Sequence, residues 1–71
     1  MTKNQIIEIA SQSFIAKDCL FQIENWTIFG SGKFTASRFI EWLNYRANRY
    51  DEIDYNFEAS QYRKLVNIIS K

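Results

Sequence analysis

The 71-residue sequence contains no histidine and no proline, a single cysteine, a single methionine and only two glycines. Without histidine there can be no Ser-His or Cys-His pair and no imidazole ligand, which removes the common routes to nucleophilic catalysis and zinc chemistry. With Cys19 alone no intramolecular disulfide forms, so the fold stands on packing, and a reducing cytoplasmic setting fits this usage. Cys19 reads as a small buried apolar residue. No segment approaches the ~20 apolar residues of a membrane span, and the N-terminal MTKNQIIEIA lacks the apolar run of a signal peptide. A formal charge of +1 supplies no global field toward nucleic acid or an anionic membrane. Nor are there enough carboxylates to imitate DNA. With no linker, repeat or low-complexity run, residues 1–71 read as one domain.

A chain this short buries only roughly 60% of its unfolded surface and has little volume for both a core and a deep substrate cavity. The carboxylates Asp51, Glu52, Asp54 and Glu58 lack the ligand spacing and glycine of a calcium loop and read as a solvated turn. We therefore expect a non-enzymatic protein with no metal and no cofactor. What is abundant is aromatic: twelve rings, 17% of residues. So many rings exceed what a small core encloses, which predicts exposed rings and an interface.

Between Thr35 and Asp51 the side chains sort into three stripes at helical spacing. Ala36, Phe39, Ile40, Leu43, Ala47 and Tyr50 form a core face. Ser37, Glu41, Asn44, Asn48 and Glu52 form a solvated face. Arg38, Trp42, Tyr45, Arg46 and Arg49 occupy the remaining arc, and arginines interleaved with large aromatics are the residue types of binding hot spots and of nucleic-acid contact surfaces. The plainer alternative is that Trp42 and Arg46 border the core, with arginine stems covering apolar surface and the charged ends wet.

Elsewhere, Thr2 and Gln5 form a capping-box pattern that starts a helix from Lys3 to about Ala16. The segment CLFQIENWTIF is rich in aromatic and β-branched residues. A two-residue turn at Glu24-Asn25 would set Ile23 opposite Trp26 and Phe21 opposite Ile28, a β-hairpin with one apolar face. A short helix from Lys17 to Asn25 is the alternative, because short apolar runs do not distinguish the two by periodicity. GSGK, residues 30–33, then forms a loop to a helix capped by Thr35; it fails the P-loop motif but could offer N–H groups and Lys33 to one phosphate. After the acidic turn Asp51 to Glu58, a last helix capped near Asn56 buries Ala59, Tyr62, Leu65, Val66 and Ile69.

The expected architecture is thus α+β: helix, β-hairpin, helix, helix, with an all-α domain of three or four helices as the fallback. Phe21, Ile23, Trp26 and Ile28 would face Ile6, Ile9, Ile40, Leu43, Leu65 and Ile69 in the core. For function we expect a binding protein, an inhibitor or adaptor that presents the Arg38, Trp42, Tyr45, Arg46, Arg49 stripe to a protein or nucleoprotein complex. Loss of partner capture on Trp42→Ala without loss of fold would be its signature. Small motif-free chains rich in Ile, Asn and Lys are, in size and style only, like accessory proteins of phages and mobile elements that occlude a host restriction or CRISPR effector. Two further readings compete. Exposed Ser60, Arg63, Lys64 and Asn67, supported by Lys33, give the outline of a helix-turn-helix DNA reader. The aromatic stripe would also serve a homo-oligomer.

Overall fold

The computed structural model describes residues 1–29 and 32–71, without the side chains of residues 28 and 29. It contains helices α1 (Lys3–Ser11), α2 (Ala16–Glu24), α4 (Ala36–Glu52) and α5 (Asn56–Ile69), with α3 (Trp26–Phe29) a single turn after α2. No strand occurs among the described residues, so the molecule is all-α.

The hairpin expected at residues 17–29 is not formed. Ile15, Cys19, Ile23 and Trp26 recur at spacings of four, four and three and all are buried, a helical stripe that meets the core with no hairpin reversal at Glu24-Asn25. Asn25 instead ends α2: its backbone N–H and its side-chain amide both donate to the Phe21 carbonyl, at 3.1 and 2.9 Å. Phe21, placed in the core by the hairpin register, is exposed. The side chain of Ile28, and residues 30 and 31 of the GSGK loop, lie outside the described residues.

The capping box of α1 is present, with the Thr2 N–H donating to Gln5 Oε1 at 2.8 Å and the Gln5 N–H to Thr2 Oγ1 at 3.2 Å. The helix stops at Ser11 rather than near Ala16. Ser13 is the physical reason: its hydroxyl donates to the Ala10 carbonyl at 2.7 Å, as its own N–H does at 3.1 Å, and these local bonds replace the helical ladder. Thr35 caps α4 by accepting from the Arg38 N–H at 3.1 Å.

Two pairs follow, α1 with α2 and α4 with α5, the latter the more extensive. Their core contains Ile6, Ala10, Cys19, Ile23, Trp26, Phe39, Leu43, Ala47, Tyr62, Leu65 and Ile69. Ile9, Ile40 and Val66 are partly buried against it. An aromatic seam ties the pairs together: Trp26 meets Phe34 edge-on at 5.2 Å and Phe39 at 6.3 Å, and Phe39 stacks on Trp42 at 5.5 Å. No helix among the described residues is long and apolar enough to cross a membrane.

Candidate interaction groove between α2 and α4

Arg46, on α4, faces α2. One guanidinium nitrogen lies 3.1 Å from Asp18 Oδ2 and 3.3 Å from the Tyr50 hydroxyl. The guanidinium carbon sits 5.3 Å from the Tyr50 ring centroid and 6.0 Å from those of Trp42 and Tyr62. Arg46 Nε is buried with no hydrogen-bond partner, and the three surrounding rings are what offsets its desolvation. The Tyr62 hydroxyl, from α5, donates to the same Asp18 oxygen. Burial, and then this bond to Asp18, raises the Tyr62 phenol above its ordinary value. Next to Asp18 in sequence, Cys19 is pushed up to about 12, first by burial and then by the Asp18 charge. That thiol is inert toward chemistry that requires a thiolate.

Above this network a groove of about 430 Å³ opens between α2 and α4, lined by Asp18, Phe21, Gln22, Trp42, Tyr45 and Arg46. Phe21 and Tyr45 are 55% and 56% exposed, one on each wall, while Trp42 is half-buried beneath them. Helix geometry explains the grouping: residues 18, 21 and 22 share one face of α2, and residues 42, 45 and 46 share one face of α4. An aromatic rim over a fixed charged floor can take up an apolar side chain flanked by hydrogen-bonding groups, as in protein recognition.

The arginine-aromatic stripe is therefore not one continuous exposed surface. Tyr45 is exposed and Arg46 and Trp42 form the floor, with Trp42 stacked on Phe39 and edge-on to Tyr62 at 6.1 Å. Trp42→Ala would thus disturb the core as well as the surface, so it cannot separate binding from folding. Arg38 is exposed beside Gly32, whose φ of 94° favours glycine and where an added Cβ would lie 3.0 Å from the Arg38 guanidinium. Arg49 is exposed and pairs with Glu52 at 3.5 Å.

Of the residues of the nucleic-acid reading, Ser60, Arg63, Lys64 and Asn67 are exposed on one face of α5, and Lys33 lies apart from them. Lys33 lines a separate depression of about 320 Å³ with Lys3, Glu24, Trp26 and Phe34. Ser60 donates to the Phe57 carbonyl at 2.6 Å. Arg63 is committed to α4, pairing with Asp51 and reaching Asn48 Oδ1 at 3.3 Å, and its hydrogen bond holds the Asp51 carboxyl below the ordinary range. Lys64 and Asn67 are exposed. Among the described residues no group of three or more His, Cys, Asp or Glu side chains is placed to hold a metal ion.

Asp18, Phe21 and Gln22 are the lining residues that sequence reasoning missed. Their i, i+3, i+4 spacing was the available signal, and it is meaningful only once the segment is read as helix. Compared with protein-family models, curated proteins and solved structures, the chain has no match in any of the three.

Proposed function

We propose that this chain is a non-enzymatic binding protein, an inhibitor or adaptor, that engages a protein partner through the groove between α2 and α4. The observation that carries the reading is the pair of exposed rings, Phe21 and Tyr45, flanking a floor that internal bonds already hold in place. A pre-ordered floor reduces the entropy lost on binding. The helix-turn-helix reading has less support, because Arg63 is engaged by Asp51 and the end of α4 with the turn that follows carries Asp51, Glu52 and Asp54.

The test is affinity capture from host extract with wild type, Tyr45→Ala, Phe21→Ser and the double variant Arg63→Ala/Lys64→Ala, each checked for helicity. A partner retained by wild type and the double variant, and lost from both groove variants, is the expected result. In parallel, labelled duplex DNA is titrated at ~50 and ~200 mM salt, where phosphate contacts would give a steep salt dependence. Salt-sensitive DNA binding lost in the Arg63/Lys64 variant, with no protein dependent on Tyr45, would overturn the groove reading in favour of the DNA regulator.

A further inference from the structure

A second apolar surface shares no residue with the α2–α4 groove. Phe14, in the turn after α1, is 70% exposed and meets the 56% exposed Phe57 ring edge-on at 4.9 Å. From there a groove of about 360 Å³ runs between α1 and α5, lined among others by Ile9, Phe14, Gln61, Lys64 and Ile68. On α5, residues 57, 61, 64 and 68 recur at spacings of four, three and four and so form one stripe. Phe57, Lys64 and Ile68 are exposed, with Gln61 between them half-buried.

The charges along this surface are segregated. Exposed Asp54 and half-buried Glu58 lie toward its N-terminal end, while Lys64, within the stripe, and Lys71 lie toward its C-terminal end, both exposed. Neither Glu58 nor Lys64 is in an ion pair among the described residues. A surface whose two halves carry opposite charge complements itself under a two-fold rotation. If the axis passes at Gln61, Glu58 lies three residues before it and Lys64 three residues after it, so each meets the other across the axis. Phe57 then reaches the groove over Leu65, and the helix dipoles run antiparallel.

We propose that a second copy of this chain occupies this surface, the two α5 helices crossing antiparallel about Gln61 with Glu58 of each facing Lys64 of the other. This dimer leaves both α2–α4 grooves open to partners.

The test is sedimentation velocity on the full chain from micromolar to millimolar concentration, with charge-reversed variants. Wild type dimerises, and Glu58→Lys alone or Lys64→Glu alone raises the dissociation constant at least about tenfold, since symmetry turns two attractions into two repulsions. Mixing the two single variants in equal amounts restores the dimer as a heterodimer, and so does combining both reversals in one chain. Misfolded variants would not be rescued by mixing. A wild type that stays monomeric to millimolar concentration, single reversals without effect, or a mixture that fails to associate would each overturn the proposal, and none bears on the Tyr45 result.

Discussion

At Asp18 Oδ2 a guanidinium from α4 and a phenol from α5 converge on a carboxylate from α2, so one oxygen holds three helices in register. Arg46 and Asp18 keep about a third of their side-chain surface in water, at 33% and 36%, which limits the energy either contributes. Removing the acceptor nevertheless leaves the Tyr62 hydroxyl, on a buried residue, and a ring-enclosed cation without it. Asp18→Ala should therefore destabilise the fold by about 1–2 kcal/mol, and Asp18→Asn by less, because the amide oxygen still accepts. Urea unfolding at neutral pH measures both; an Ala variant that unfolds at the wild-type midpoint would show that the network adds no stability. The exposed rim residues Phe21 and Tyr45 lie above this joint, so a weaker joint would loosen the groove floor before it changed the rim.

Among the elements, the α4–α5 connection shows most directly how sequence sets structure. The helix is closed by a Schellman motif: the Tyr55 N–H reaches the Tyr50 carbonyl at 2.8 Å and the Asp54 N–H reaches that of Asp51 at 3.1 Å. The accompanying contact is Tyr50 stacked on Tyr55 at 6.1 Å. Asp54 takes φ of 61°, a left-handed conformation that glycine adopts without Cβ strain. Asp54→Gly should stabilise the protein by up to about 1 kcal/mol, whereas Asp54→Val, β-branched in the same conformation, should cost at least that much. Thermal melts that ranked Val above Asp would refute this account. Much of α4 was legible because seventeen residues give several turns over which the buried Phe39, Leu43 and Ala47 separate from polar Ser37, Glu41 and Asn44. The α2 segment was not, because its nine residues carry only a short apolar run, which continues into the aromatic and β-branched residues 26–29 and fits either periodicity. That misreading also hid half the groove: in a strand Phe21 and Gln22 point to opposite faces, and only a helix sets them beside Asp18.

At the scale of the whole molecule, unfolding exposes Cys19 and Tyr62 together, which ties global stability to alkaline pH. The Cys19 thiol has an ordinary value of 9.0 and is held at about 12 in the fold, and the Tyr62 phenol is likewise raised from 10.0. Both are neutral when protonated, so above its ordinary value each loses its proton in the unfolded chain while the folded chain retains it. The unfolded state then binds fewer protons, and stability falls as pH rises. Below about pH 9 this contribution is fully present. From there Cys19 removes up to about 1.4 kcal/mol per pH unit, and Tyr62 adds to the slope from about pH 10. Denaturant titrations at intervals from pH 8 to 11 should show the onset near 9 in wild type. Cys19→Ala should start from a lower plateau, because it leaves a small cavity, and stay level until the Tyr62 contribution begins near 10. An identical slope in the two proteins between pH 9 and 10 would mean that the thiol ionises alike in the folded and unfolded chains, and that Cys19 is reached by water despite its place in the core.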